Sequence, residues 1–331
     1  RPSPKRLRLR SQTRRSWMNL YMDVQGNKVS AVYQDEEGRS PIEDVRESSW
    51  VDIEHAFIDV GGVRTSYYTA GDPNSTPVVL LHDGAWGADA MLSWREVMID
   101  LAADHRVIAP DLPGFGQTDK VVMFGASPFE HRLRHIAGFL ELLRLKGAAH
   151  VVGTSFGGSL ALRSAAVSAW PMASATSVAG TGGPWRVELA KQLLADLEPG
   201  RDYIARVVEV LTNKTSGLDE HIDRRYENSL APGHYAAMVS LRLKHPASTP
   251  TLVEDRYPAS LADATVPISV ITTAQDQLVE PDWPKHVRPV APNVAFHHME
   301  GPHSPNISHP QEVAEKLRRI IRNHVQAQNG L

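Results

Sequence analysis

Three residues of this chain, Ser155, Asp276 and His303, have the types needed to attack a carbonyl together. A serine hydroxyl is a weak nucleophile until a neighbouring base takes its proton, and the base needs a third group to fix its tautomer and stabilise its charge. Ser155 lies between Gly153 and Gly157 in VVGTSFGGSL, residues 151–160. In a G-x-S-x-G bend between a strand and a helix the serine Oγ is left exposed, and glycines let the neighbouring backbone pass closely. The pentapeptide alone is common, so it counts only with its partners. Asp276 follows an apolar segment in TTAQDQLVEP, and His303 follows another in MEGPHSP. Glu280 and Asp282 offer carboxylates close to Asp276. His297, His298 and His309 compete with His303, but the first two fall inside a strand pattern and the third precedes Pro310 at the entry to a helix. Acyl chemistry also needs donors aimed at the oxyanion. The backbone amide of Phe156 is one, and Gly84, or else Asp83, in the loop after residues 77–81 is the other. His82 reads as structural. A carboxylate at Asp83 beside a developing oxyanion is costly unless it is turned away or paired, and one of these is expected.

The surrounding pattern places these residues at strand ends. PVVLL (77–81), HRVIAPD (105–111), the segment into the serine bend, and residues 173–179 are short apolar runs of the kind found in strands covered on both faces. Between them, residues 91–103, 129–145 and 156–169 have the length and apolar spacing of helices. Such alternation predicts an α/β fold, a doubly wound and mostly parallel sheet whose post-strand loops gather along one edge. The alternation stops at residues 185–262, which read as an inserted helical cap, and resumes with VPISVITT (266–273), residues 294–299 and a final helix over 310–325. Residues 55–184 and 263–331 then form the two parts of the core. Residues 1–54 are an extension: a basic tail, then an extra hairpin (22–38) whose strand, glycine turn, strand pattern is repeated at 58–72, then an acidic stretch over 35–54.

Bulk properties exclude several classes. The 331 residues are 42% hydrophobic and 22% charged, as in ordinary globular proteins, and no apolar run approaches a membrane span. There is no cysteine, hence no disulfide, thiolate metal site or cysteine nucleophile. No H-E-x-x-H or comparable cluster is present, so no metal is expected. The net charge of −3 conceals seven basic residues and no acid before Trp17, which leaves an acidic body unsuited to nucleic acid. Arg14-Arg15 superficially resembles an export signal, but Asn19, Asp23, Gln25, Asn27 and Lys28 interrupt the apolar region such a signal needs, and the cytoplasm is the expected compartment.

From about Ile58 onward the chain resembles the α/β-hydrolase superfamily, whose nucleophile, acid and base follow in the order seen here. Within it the pattern is most similar to the meta-cleavage product hydrolases, serine hydrolases that cut a carbon–carbon bond in ring-opened aromatic compounds. The matching stretches are LLHDGAWGADAMLSW, RVIAPDLPGFGQTDK, GTSFGG, GTGG after the next strand, and RRYENSL in the cap. The resemblance implies no cofactor. It also implies that the cap arginine beside an aromatic residue, here Arg225 next to Tyr226, grips the carboxylate of a 2-hydroxy-6-oxo-dienoate. The chain departs from the family at Asp83 (usually glycine), Trp86 (proline), Thr154 (asparagine) and Ser304 (tryptophan), and Trp86, Thr154 and Ser304 are therefore expected, with Arg225, to shape the substrate pocket.

The expectation is a cofactor-independent serine hydrolase acting on a small carbonyl compound, with C–C cleavage of a dienoate or hydrolysis of a carboxylic ester or lactone sharing every core residue. A hydrolase-fold protein that binds a small ligand without turnover is the rival from another class. Whether the chain forms a homo-oligomer is not legible in its sequence.

Overall fold

The computed structural model describes residues 5–10, 17–22, 28–34, 52–123, 127, 129–195, 200–240 and 255–328. The chain divides into two compact units, Arg1–Trp50 and Val51–Leu331. In the first, β1 (Lys5–Arg10), β2 (Trp17–Met22) and β3 (Lys28–Gln34) form an antiparallel sheet in that order, with Leu7 opposite Leu20 and Leu20 opposite Ala31. The segment read as a basic tail thus contains a strand, and the hairpin read at 22–38 has its strands at β2 and β3. Arg14-Arg15 and most of the acidic stretch 35–54 lie outside the described residues.

The second unit opens with the hairpin β4 (Glu54–Val60) and β5 (Val63–Ala70). Its two turn residues, Gly61 and Gly62, have φ of 60° and 85°, which suits the right-handed twist of the paired strands and is cheap only for glycine. Next come β6 (Pro77–Leu81), α1 (Ala90–Leu101), β7 (Arg106–Pro110), α2 (Glu130–Leu143), β8 (Ala149–Thr154), α3 (Phe156–Val167) and β9 (Met172–Val178). The cap follows as α4 (Glu188–Ala195), α5 (Arg201–Thr212), α6 (Asp219–Ser229) and α7 (His234–Ser240), with no strand among its described residues. The core then resumes with β10 (Ile268–Thr273), α8 (Pro284–Val287), β11 (Val294–Met299), α9 (Pro305–Ser308) and α10 (Pro310–Gln328).

Eight strands form one sheet in the order β11-β10-β9-β8-β6-β7-β5-β4, parallel from β11 to β7 and antiparallel through β5 and β4. Alternation along β6 shows why both faces must be covered. Val78 and Leu80 pack with Trp94, Met98, Leu317 and Ile321 from α1 and α10, while Val79 and Leu81 pack with Ile136, Phe139 and Leu160 from α2 and α3. Each such side chain taken wholly out of water contributes about 1.5–3 kcal/mol. β4, at the sheet edge, is mostly exposed or half-buried. Among the described residues, no helix is long and apolar enough to cross a membrane.

Right-handed crossovers bring the loops after β6, β8, β10 and β11 to one edge of the sheet. Those loops carry Asp83 and Gly84, Ser155, Asp276, and His303 respectively.

Candidate active site

β8 is buried along its whole length and stops at Thr154, and α3 begins at Phe156, so Ser155 alone makes the bend. Its backbone has φ 51° and ψ −111°, outside the regions an L-residue favours, at a cost of about 1–3 kcal/mol. A hydrogen bond from its N–H to the Val178 carbonyl (2.8 Å) and the fit of the flanking glycines hold it there. A Cβ on Gly153 would lie 2.1 Å from the Gly157 carbonyl carbon, and one on Gly157 would lie 2.3 Å from the Leu81 carbonyl oxygen. Strand, bend and helix therefore interlock only with glycine at both places.

His303 Nε2 lies 2.8 Å from Ser155 Oγ, and its Nδ1 lies 2.9 and 2.8 Å from the two carboxylate oxygens of Asp276. Asp276 Oδ1 also accepts from the amides of Leu278 (2.8 Å) and Val279 (3.2 Å), so the carboxylate is fixed before it fixes the ring. The competing residues are elsewhere. Asp282 is exposed and pairs with Lys285, and Glu280 is exposed at the surface. His297 contacts Ser269, His298 contacts Thr272, and His309 contacts Ser308.

The Phe156 amide is the first of α3, at the positive end of the helix. Gly84 packs directly against that residue: a Cβ there would lie 2.8 Å from Phe156 Cβ. His82 secures the loop from below, its Nδ1–H donating to the Asp83 carbonyl (2.6 Å) while Nε2 accepts from the Leu112 N–H (2.9 Å). Complete burial lowers the His82 pKa, as this neutral tautomer requires.

Asp83 is paired. Arg225 Nη1 and Nη2 donate to its two oxygens at 3.2 and 2.9 Å, and Ser93 Oγ (3.0 Å) and the Ala85 amide (2.9 Å) complete its shell. Both side chains are buried, Asp83 at 1% exposure and Arg225 at 0%. Burial alone would raise the Asp83 pKa, but the adjacent guanidinium outweighs it and holds the carboxyl well below the usual carboxylate range. Arg225 belongs to a docking row on α6: Arg224 donates to Asp89 (3.1 Å), and Asn228 donates to Asp89 (2.9 Å) and the Gly87 carbonyl (3.1 Å). In α7, His234 accepts from the Gly87 N–H at 3.1 Å and contacts the Gly114 carbonyl at 2.8 Å. The motif RRYEN thus fastens the cap to the loop after β6.

A cavity of about 610 Å³ lies between core and cap, with Ser155, His303, Gly84 and Phe156 in its wall. Its lining is largely apolar, including Trp86, Phe115, Phe129, Leu211, Met238 and Leu278. Trp86 lines it, packed beside the His234 and Tyr235 rings. Three other expectations for the pocket need correction. Arg225 is not in this wall, because both terminal nitrogens are engaged by Asp83. Thr154 is the last residue of a fully buried strand, and its hydroxyl donates to Asn306 (3.0 Å) behind the bend. Ser304 is buried with its amide donating to the Leu211 carbonyl (2.7 Å), so it ties β11's loop to the cap.

The wall contains charged residues that the sequence reading passed over, Arg132 among them. It occupies the buried stripe Arg132, His135, Ile136, Phe139, Leu140 of α2, and an arginine at an apolar position of a helix was the visible signal. Arg163 also lines the cavity, held in a two-pronged pair with Asp255 (3.1 and 2.9 Å).

Known proteins agree with this architecture. The chain is 32% identical over 192 residues to a 2-hydroxy-6-oxo-6-(2'-aminophenyl)hexa-2,4-dienoic acid hydrolase of Metapseudomonas resinovorans, covering 56% of this chain and 62% of that protein. It is 32% identical over 184 residues to a 2-hydroxy-6-oxo-2,4-heptadienoate hydrolase of Pseudomonas putida, covering 55% and 64%. In both cases the chain spans less than two thirds of the relative's length. Among solved structures, a 2-hydroxy-6-oxo-6-phenylhexa-2,4-dienoate hydrolase from Rhodococcus superposes with a TM-score of 0.70 at 24% identity, covering 82% of this chain and 99% of that one. A carboxylesterase from Bacillus subtilis does so with 0.64 at 15% identity, covering 82% and 92%, and at such identities the likeness is one of fold. The family model for alpha/beta hydrolases matches residues 78–316, from within β6 to the first two turns of α10, and the chain is a member of that family.

Proposed function

We propose that this protein is a cofactor-independent serine hydrolase. The observation that carries the reading is the continuous contact from Asp276 through His303 to Ser155 Oγ, which opens into a mostly apolar cavity. In this reading Ser155 Oγ adds to a substrate carbonyl carbon as its proton passes to His303 Nε2, and Asp276 stabilises the resulting imidazolium. The Phe156 and Gly84 amides face the oxyanion. Collapse breaks the bond to the leaving group, which takes the proton from His303. Water, deprotonated by the same ring, then releases the acid and restores the serine.

The relatives named as dienoate hydrolases support C–C bond cleavage of a 2-hydroxy-6-oxo-dienoate as the substrate chemistry. One observation favours a second reading, hydrolysis of a carboxylic ester or lactone: Arg225, the residue that the family resemblance assigns to the dienoate carboxylate, already has both terminal nitrogens on Asp83. Stoichiometric labelling of Ser155 by a fluorophosphonate, lost in Ser155→Ala, is expected. Turnover of a 2-hydroxy-6-oxo-dienoate against a p-nitrophenyl ester separates the two chemistries. Absence of both labelling and turnover refutes the enzyme reading and favours a ligand-binding protein.

A further inference from the structure

Ser155, His303 and Gly84 come from three separate loops, after β8, β11 and β6, and proton transfer between them needs those loops aligned closely. Outside the cavity wall, the three meet at one buried side chain, Asn306. Asn306 lies in α9, three residues beyond His303. Its Oδ1 accepts from Thr154 Oγ1 at 3.0 Å, and Thr154 immediately precedes the nucleophile. Its Nδ2 donates to the Ser93 carbonyl at 2.7 Å in α1. Ser93 Oγ in turn donates to one Asp83 oxygen at 3.0 Å, while the other accepts from the Ala85 amide at 2.9 Å, so this carboxylate brackets Gly84. The backbone from His303 to Asn306 is stiff. The Ser304 amide is held by the Leu211 carbonyl, the Ser304 carbonyl accepts from the Ile307 N–H at 3.1 Å, and Pro305 between them fixes its own φ. Thr154, Ser93 and Asp83 are as buried as Asn306, so water does not compete for these bonds. An amide suits the place because it offers a donor and an acceptor in one rigid plane.

We propose that Asn306 is a positioning residue for the reaction, holding nucleophile, base and oxyanion loop in register through Thr154, the backbone of α9 and the Ser93–Asp83 link. The proposal rests on the serine-hydrolase reading, since the register matters only if Ser155 and His303 exchange a proton. It also gives the Thr154 hydroxyl a task, as the tether of the serine bend. Neither Asn306 nor Thr154 lines the cavity. Loss of the tether therefore lets Ser155 and His303 shift against each other while the substrate-binding wall stays as it is, and the chemical step suffers where binding does not.

The test uses the full chain with two probes, p-nitrophenyl butyrate for turnover and an alkyl fluorophosphonate for labelling of Ser155, each measured well below the thermal midpoint of the variant. Asn306→Leu keeps the shape and removes both bonds. It is expected to lower kcat and the maximal labelling rate by about 10- to 100-fold, the usual consequence of a small misplacement of reacting groups. KM and the half-saturating fluorophosphonate concentration stay within about twofold of the wild type, because the lost interaction acts on the chemical step alone. Thr154→Val, a milder change that carries the test even where Asn306→Leu does not fold, lowers the same two rates by about tenfold, the worth of one hydrogen bond. Thr154→Ser returns the hydroxyl and restores most of the rate. Because both variants cut one tether, Thr154→Val with Asn306→Leu is expected to be no slower than Asn306→Leu alone. The proposal is overturned if the variants lose thermal stability while kcat and the labelling rate hold, as a purely structural role would make them do. It is overturned equally if KM rises at constant kcat, if the two effects multiply, or if Thr154→Ser is as slow as Thr154→Val. Unimpaired variants beside a labelled and active wild type sink this inference alone, whereas a wild type with no labelling and no turnover sinks the serine-hydrolase reading first.

Discussion

Arg225→Met leaves the Asp83 carboxylate buried with two donors, Ser93 Oγ and the Ala85 amide, where the native protein supplies four hydrogen bonds and a full positive charge. With Asp83 at 1% exposure, water cannot replace the lost guanidinium. Removing one member of such a pair costs about 3–5 kcal/mol, out of a total stability of about 5–15 kcal/mol for a domain. The double replacement Asp83→Asn with Arg225→Met removes the buried charge altogether and is expected to return to within about 1 kcal/mol of the native protein. Urea unfolding followed by tryptophan fluorescence measures both, since Trp86 and Trp94 are buried close to the loop after β6. The pH dependence supplies a second check. In the native protein the Asp83 pKa is held down by Arg225, so its contribution is present above about pH 3.9, the unfolded value, and is lost as pH falls below it. In Arg225→Met the sign reverses: burial without a counter-charge raises the pKa, the folded form takes up the proton, and the deficit relative to wild type shrinks as pH falls from 7 towards 5. A loss below about 1 kcal/mol, or a deficit that does not change with pH, refutes the claim that this ion pair is what fastens α6 to the core.

Asp276→Asn is expected to keep the fold, since the amide carbonyl can still accept from the Leu278 and Val279 amides, while kcat on an activated ester falls by about 10⁴ through the wrong His303 tautomer. A fall of less than tenfold would count against the role given to Asp276. Gly157→Ala places a methyl 2.3 Å from the Leu81 carbonyl oxygen and 2.6 Å from that of His82, neither of which can rotate away. Overpacking of about 1–3 kcal/mol should lower the thermal midpoint, and displacement of the elbow should slow fluorophosphonate labelling. Burial lowers the pKa of His135, His150 and His234 to about 4. The unfolded chain then binds more protons between about pH 6.5 and 4, so stability is complete above that window and lost on acidification through it. Each ring costs about 1.4 kcal/mol by pH 5.5, and denaturation midpoints at pH 7.5 and 5.5 measure the sum. Equal midpoints would mean that these rings are not held neutral.

Features written in contiguous residues could be read from the sequence. The strand, the glycines around Ser155 and the first turn of α3 are one local arrangement, and the order of Ser155, Asp276 and His303 follows from strands that each end at the same sheet edge. What could not be read is what depends on direction. Thr154 and Ser304 adjoin Ser155 and His303 in the chain, yet neither lines the cavity: Thr154 is spent on Asn306, and the Ser304 amide on the Leu211 carbonyl. That Asp83 had to be paired followed from the cost of a carboxylate near an oxyanion. That its partner is Arg225, 142 residues away, did not, because nothing local couples α6 to the loop after β6.

The two arginines bring out the physical distinction. Arg225 sits in a motif that resemblance marks as functional, and the structure surrounds it with a carboxylate already in place. Arg132 sits in no motif and differs from its helix neighbours only in interrupting an apolar stripe. A buried charge has to be balanced, either permanently by the protein or transiently by what it binds, because desolvation is otherwise too costly. Asp83 balances Arg225 permanently and so removes it from recognition. At Arg132 the buried stripe of α2 carries a cation into the wall of the cavity that also holds Ser155.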